Sequence, residues 1–174
     1  LEIEENLTVN LTAMLKSGKL DVIMIALPFE EPGILVQALY DEPFKAVVPA
    51  DHRLARKGHI DPSAMTGERV LLPHAGHCFR HQVLEACPEL SRSDSEGLQG
   101  NSLETIRQMV ASGLGITVMP CSAVTNRYLN KRLTVLEFAK PVPERRIALA
   151  WRKGFPRPAV IAVIHEAVGM LKIP

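Results

Sequence analysis

Two cysteines, Cys78 and Cys87, lie nine residues apart in a segment whose pattern predicts one amphipathic helix. A helix turns about 100° per residue, so nine steps place the two side chains on opposite faces and about 13 Å apart along the axis. A disulfide requires Cα atoms within about 7 Å of each other. The two thiols therefore cannot bond while the helix is intact, and their oxidation would act as a conformational switch.

Cys78 is predicted to begin this helix, where unpaired amide N–H groups and the helix dipole favour an anion. Three neighbours that can carry positive charge, His77, Arg80 and His81, favour the thiolate further, and the thiolate is the form that reacts with peroxide. Its expected product is a sulfenic acid, which condenses with a second thiol to a disulfide. Two ordinary helix cysteines are the alternative that the residues themselves leave open.

A zinc site is a second alternative, because His77 and His81 are four residues apart and share a helix face with Cys78 close by. Cys87 points the opposite way, however, and no second cluster supplies a fourth ligand, so the sequence predicts no metal site. Cys121 has no partner or charge near it in sequence and is predicted to be a small buried hydrophobic residue.

The composition restricts the class of protein. The 174 residues are 47% hydrophobic and 22% charged, which is typical of a globular domain, and the net charge of +1 argues against a nucleic-acid-binding face in this segment. No apolar run approaches the roughly 18 residues of a membrane span. Three cysteines do not suit a secreted disulfide scaffold, so a reducing cytoplasm and redox-active or metal-binding thiols are favoured.

Strand-like and helical patterns alternate along the chain, which predicts an α/β fold with mainly parallel pairing. The run 21–27 is almost entirely apolar, which indicates a strand covered on both faces. Gly18 is expected to end the first helix, and Ser102 or Asn101 to cap a later one. The predicted strands are 1–5, 21–27, 34–40, 44–49, 69–72, 116–119, 133–138 and 145–152, and the predicted helices are 7–16, 78–87, 103–111 and 159–171.

The segment 101–120, NSLETIRQMVASGLGITVMP, resembles the effector domain of LysR-type transcriptional regulators. The segment 76–80, GHCFR, together with Cys87, resembles more specifically the peroxide-sensing members of that family. SGKLD at 17–21 and DEP at 41–43 are similar to the same family, so the resemblance covers essentially the whole chain.

The resemblance implies two Rossmann-like lobes joined by two crossing strands, as in periplasmic binding proteins. The first lobe would comprise residues 1–42 plus 146–174 and lack its N-terminal part, and the second, with the redox cysteines, residues 43–145. It also implies that the sequence is the regulatory part of a transcription activator. Promoter DNA would be bound by an N-terminal winged helix-turn-helix that is absent from this chain.

By the same resemblance, the residue matching Cys78 is the peroxidatic cysteine and the one matching Cys87 is its resolving partner. Hydrogen peroxide is then the ligand, no cofactor is needed, and a thiol reductant resets the switch. The implied protein is cytoplasmic, does not bind a membrane, contacts RNA polymerase, and forms a homodimer or homotetramer. It is a switch and not a turnover enzyme.

The resemblance also assigns residues around the reactive cysteine. Thr8 and His77 would hold the peroxide, in a cleft between the lobes, while Arg80 and Arg145 would support the thiolate. His81 stands where the family has an acidic residue, which removes a possible negative partner of Arg80. Two other functions stay open: a LysR-type domain that binds a metabolite between the lobes, with incidental cysteines, and a thiol peroxidase.

Overall fold

The computed structural model describes residues 1–92, 99–125 and 131–171. The chain forms two compact units. The first unit contains Leu1–Glu42 and Arg145–Pro174, and the second contains Pro43–Glu144. Arg145 thus belongs to the first unit, whereas the sequence prediction assigned it to the second lobe.

Four α-helices and eight strands are present in the described residues. In chain order they are α1 (Thr8–Ser17), β1 (Val22–Ala26), β2 (Ile34–Pro49), β3 (His59–Ile60), β4 (Leu72–Pro73), α2 (Cys78–Ala86), β5 (Gln99–Gly100), α3 (Leu103–Ala111), β6 (Thr117–Pro120), β7 (Leu133–Phe138), β8 (Glu144–Arg152) and α4 (Pro158–Met170). Short 3-10 helices occupy Arg53–Arg56, Pro62–Met65, Pro88–Arg92 and Cys121–Val124. No helix in the described ranges is both long enough and apolar enough to span a bilayer.

In the first unit, β1 pairs antiparallel with β8, with Val22 opposite Trp151 and Ala26 opposite Ile147. Helix α1 ends as predicted at Gly18, whose φ of +81° lies in the left-handed region and whose N–H donates to the Leu15 carbonyl. The apolar side of α1 and one face of the sheet form a buried cluster of Leu15, Ile23, Ile25, Ala148 and Ala150. The opposite face packs on α4 through Leu149, Phe155 and Ile161.

Burial along β1 alternates, and Met24 in its middle is 48% exposed. The prediction that this strand is covered on both faces is therefore wrong at Met24, although Val22 packs against the cluster on the α4 side. Residues 1–7 have no regular secondary structure, so the predicted strand at 1–5 is also wrong. An apolar run alone does not show which of its residues find a packing partner, because the partners come from distant parts of the chain.

In the second unit, β2 pairs antiparallel with β6 and β7, β7 pairs parallel with β3, and β4 pairs parallel with β5. The expectation of mainly parallel pairing is therefore wrong for these ladders. Strand direction depends on which strands meet, and hydrophobic periodicity carries no information about direction.

Residues 34–49 form one continuous strand, so the turn predicted at 41–43 is absent. Asp41 and Glu42 resemble turn residues, but each accepts hydrogen bonds from an arginine of β8, Arg146 and Arg145 respectively. These ion pairs hold both carboxylates on an extended backbone, which explains why local turn chemistry does not prevail here.

Helix α2 lies over the larger core of the second unit. Phe79 is 1% exposed and meets the Phe44 ring edge-to-face, with the centroids 5.6 Å apart. Helix α3 begins at the predicted cap, Ser102, whose Oγ accepts from the Thr105 N–H at 3.1 Å. Its apolar face contributes Ile106 and Val110 to a second buried cluster. The other members of this cluster are Val47, Leu71, Met119 and Leu133.

Candidate redox site

A tight turn joins β4 to α2 and presents the first cysteine. The His77 N–H donates to the His74 carbonyl at 3.2 Å, which closes a four-residue turn, and the His74 N–H donates to the Gly100 carbonyl at 3.3 Å. Gly76, at the third position of the turn, has a φ of +98°, which side chains rarely tolerate. The turn therefore needs glycine in the GHC motif and is tied to β5.

Cys78 is the first residue of α2, so the predicted helix start is confirmed. His77 is the N-cap, and its Nδ1 accepts from the Phe79 N–H at 3.2 Å. The side chain of Cys78 is exposed. An exposed thiol at the start of a helix is open to attack by a small oxidant.

The charged neighbours of Cys78 on α2 are held in different ways. Arg80 donates from Nη1 to the Pro73 carbonyl at 3.3 Å, which places its guanidinium against the strand before the turn. His81 is 82% exposed, and its Nδ1 lies 3.7 Å from Glu85 Oε2, one helical turn further on. The exposed face of α2 thus has the imidazole of His81 three residues from Cys78.

Cys87 is the C-cap of α2 and has the opposite environment. Its N–H donates to the Val83 carbonyl at 2.8 Å, and its side chain is fully buried in the core cluster that includes Leu90. Burial raises the pKa of the Cys87 thiol to about 12, with smaller contributions from the charges of Glu89 and Asp61. Cys87 is therefore a neutral thiol at physiological pH and cannot act as a nucleophile where it lies.

All three cysteines are free thiols. With α2 intact between them, Cys78 and Cys87 are separated by about 13 Å along the helix axis. A bond between them requires Cys87 to leave the core and the end of α2 to unwind. Cys121 is 2% exposed, so its predicted burial is confirmed.

The remaining predicted residues lie in the first unit. Thr8 begins α1, and its carbonyl accepts from the Thr12 hydroxyl at 2.7 Å. Arg145 donates from Nε to Glu42 Oε2 at 2.7 Å, and its Nη2 lies at the same distance from that oxygen. The structure therefore places these two residues in a different unit from Cys78, and their roles at a peroxide pocket stay a prediction.

Sequence reasoning missed two contacts. It gave Arg145 only a thiolate-supporting role and did not foresee that the carboxylate of Glu42, which is 1% exposed, binds it. The signal was available in the sequence: an adjacent acidic pair at 41–42 and an adjacent basic pair at 145–146, both on strands. It also gave His74 no role, although the ring and the backbone of His74 both contact His77.

Within residues 1–92, 99–125 and 131–171, no group of three or more His, Cys, Asp or Glu side chains is arranged to hold a metal ion. The chemistry that these residues support is therefore that of the two thiols: an exposed one at the start of a helix and a buried one at its end.

The two-unit α/β fold with this pair of thiols indicates a regulatory domain of the LysR type. The chain belongs to the LysR substrate binding domain family, whose family model matches residues 1–171. Its relatives include a hydrogen peroxide-inducible genes activator of Dickeya chrysanthemi, 36% identical over 154 residues, which are 88% of this chain and 50% of that protein. The chain thus spans about half the length of such relatives.

Two solved structures are similar over almost the whole chain. The reduced form of the OxyR regulatory domain from Pseudomonas aeruginosa is 47% identical with a TM-score of 0.86, covering 97% of this chain and 79% of that one. A reduced form of OxyR from N. meningitidis is 40% identical with a TM-score of 0.91, covering 99% and 82%. The predicted resemblance to peroxide-sensing LysR-type regulators and the predicted α/β regulatory-domain fold are confirmed.

Proposed function

We propose that this chain is the regulatory domain of a peroxide-sensing transcription activator, in which oxidation of Cys78 and Cys87 to a disulfide changes the fold of the domain. The observation that carries the proposal is the placement of the two thiols on one helix. Cys78 is exposed at the positive end, and Cys87 is buried at the other end. The similarity to regulatory domains of OxyR supports it.

The chemistry proceeds in two balanced steps. The Cys78 thiolate attacks one oxygen of hydrogen peroxide, the O–O bond breaks, and the other oxygen leaves as hydroxide, which takes a proton to become water. The sulfur of Cys87 then attacks the sulfenic acid of Cys78, loses its proton, and displaces a second water. Two thiols and one peroxide thus give one disulfide and two waters, and a thiol reductant returns two electrons to reset the switch.

The buried resolving thiol couples this chemistry to structure. Because the Cys87 thiol has a pKa of about 12 in the core, it attacks only after leaving the apolar cluster around it. Release of Cys87 disrupts the end of α2 and the 3-10 helix Pro88–Arg92 that follows it. The oxidised domain therefore differs in structure from the reduced one, as a switch requires.

In the full-length protein, we propose that this rearrangement alters the arrangement of subunits in a homodimer or homotetramer. It thereby changes how the winged helix-turn-helix binds promoter DNA and how the protein contacts RNA polymerase. The protein works in the cytoplasm without a cofactor. We propose that Thr8 and His77 bind the peroxide and that Arg80 and Arg145 support the thiolate. Each of these four roles predicts slower oxidation of Cys78 when that side chain is truncated to alanine.

Thiol counting with peptide mass mapping, before and after one equivalent of hydrogen peroxide, tests the proposal. We expect rapid loss of two thiols and a linked Cys78–Cys87 peptide. Cys78→Ser should abolish both, whereas Cys121→Ser, the matched control at the third cysteine, should change neither. If both thiols persist in excess peroxide, the sensor proposal is wrong.

Two further outcomes separate the other functions. Many turnovers of peroxide per chain with a thiol reductant, at a rate limited only by reductant supply, would identify a thiol peroxidase. Binding of a metabolite that is unchanged in Cys78→Ser, together with thiols inert to peroxide, would identify a ligand-binding LysR-type domain.

A further inference from the structure

His74, which the proposed mechanism does not use, is fixed by three contacts at the turn before Cys78. Its N–H donates to Gly100, and its carbonyl accepts from His77. Its ring Nδ1 lies 2.8 Å from the carbonyl oxygen of Ala75. A carbonyl oxygen only accepts, so Nδ1 of His74 carries the hydrogen and donates it. Both the backbone and the ring of this residue are therefore oriented by the turn.

The ring of His74 meets the ring of His77 edge-to-face, with centroids 6.2 Å apart and planes at 82°. The His77 ring also accepts from the Phe79 N–H through Nδ1. That nitrogen must keep its lone pair, so the neutral His77 ring carries its hydrogen on Nε2. A ring in this tautomer caps α2 with one nitrogen and is a hydrogen-bond donor with the other.

We propose that His74 is a positioning residue for His77: its ring holds the His77 ring in the orientation in which Nδ1 accepts from the Phe79 N–H and Nε2–H is offered to an oxygen of the peroxide. The inference rests on the proposed function, because it concerns the step at Cys78. Without the His74 ring, His77 can turn about its side-chain torsions and lose the cap. The donor is then no longer held at one place when peroxide arrives, and small displacements of such groups slow reactions strongly.

The test measures the first oxidation step and the His77 tautomer separately. In a Cys87→Ser background, which stops the reaction at the sulfenic acid, stopped-flow kinetics give the rate constant of Cys78 with hydrogen peroxide. Ring nitrogen NMR shifts report the tautomer of His77. The variants are His74→Ala, which removes the ring and its donor, and His74→Asn, which keeps an N–H donor in place of Nδ1. His59→Ala, at an exposed histidine of β3 in the same unit, is the matched control.

We expect His74→Ala to slow the oxidation of Cys78 about tenfold and to give His77 signals from both tautomers. His74→Asn should recover part of the rate, and His59→Ala should change neither readout. A wild-type rate together with a single Nε2–H tautomer in His74→Ala would overturn the inference. If His74→Ala fails to fold by circular dichroism, His74→Asn decides it, since that variant also lacks the ring and should not keep both the full rate and the single tautomer.

His77→Ala separates failure of this inference from failure of the proposed function. If His77→Ala slows the oxidation and His74→Ala does not, His74 has no positioning role while the sensor function stands. If His77→Ala also keeps the wild-type rate, the peroxide-binding role of His77 is wrong, and the inference about His74 is overturned with it. An unreactive wild-type Cys78 would refute the sensor function itself.

Discussion

Loosening the apolar cover of Cys87 should accelerate disulfide formation without changing the first oxidation step. Leu90 is 1% exposed, shares the core cluster with Cys87, and donates its N–H to the Cys87 carbonyl at 3.0 Å. Truncating a buried leucine to alanine costs about 2–5 kcal/mol. At the lower end, about 2 kcal/mol, the release of Cys87 becomes about 30-fold more favourable, because each 1.4 kcal/mol is a factor of ten.

The assay follows both steps after mixing with peroxide. Rapid quenching with a sulfenic-acid trap and with a thiol-alkylating reagent, followed by mass spectrometry, gives the rates of sulfenic acid and disulfide formation. We expect Leu90→Ala to leave the first rate unchanged and to raise the second by up to about 30-fold. The matched control is Leu71→Ala, a fully buried leucine of the same unit in the cluster that does not include Cys87.

The contrast between the two variants decides whether release is local. If Leu90→Ala does not accelerate the second step, burial of Cys87 does not limit it, and the reasoning from the core cluster is refuted. If Leu71→Ala accelerates it equally, Cys87 is released by unfolding of the whole unit, which also refutes a local switch.

Three further predictions concern stability, each measured by urea unfolding. Burial raises the pKa of the Cys87 thiol from 9.0 to about 12, so between pH 9 and 12 the thiol ionises in the unfolded chain but not in the fold. The free energy of unfolding of the wild type should therefore fall by about 1 kcal/mol per pH unit more steeply than that of Cys87→Ala. Equal pH slopes would contradict this. Glu42→Gln breaks the buried ion pair with Arg145 and should lower the free energy of unfolding by about 3 kcal/mol. Asp41→Asn breaks the more exposed pair with Arg146 and should lower it by less than about 1 kcal/mol. Equal losses would refute the conclusion that burial makes the Glu42 pair the more stabilising one. Gly76→Ala, at a φ of +98° with open space around it, should cost about 1 kcal/mol more than Gly58→Ala, where no positive φ occurs; no difference would show that the turn relaxes freely.

Local signals in the sequence were sufficient for the parts of the site that a few adjacent residues determine. The start of α2 at Cys78, the end of α1 at Gly18 and the cap of α3 at Ser102 were all predicted and are confirmed. Each depends on one backbone conformation or one hydrogen bond within three residues. Such interactions are encoded where they occur, so the sequence pattern is enough to identify them.

Interactions between distant segments were not predictable in this way. The direction of strand pairing and the single strand through Asp41 and Glu42 depend on the three-dimensional neighbours of each residue. Residues 41–43 were predicted to form a turn, but ion pairs with arginines more than one hundred positions away hold Asp41 and Glu42 in a strand. Long-range contacts override local preference because burial and charge pairing outweigh a weak backbone bias.

The sequence by itself determined the reactive chemistry of this protein: two cysteines nine residues apart on one helix, which cannot bond while that helix is intact. Only the tertiary structure decided how the two thiols differ. Cys78 is exposed at the helix N-terminus, whereas the fold buries Cys87 and raises the pKa of its thiol to about 12. The physical reason is desolvation, which depends on the apolar side chains that distant segments bring around the sulfur.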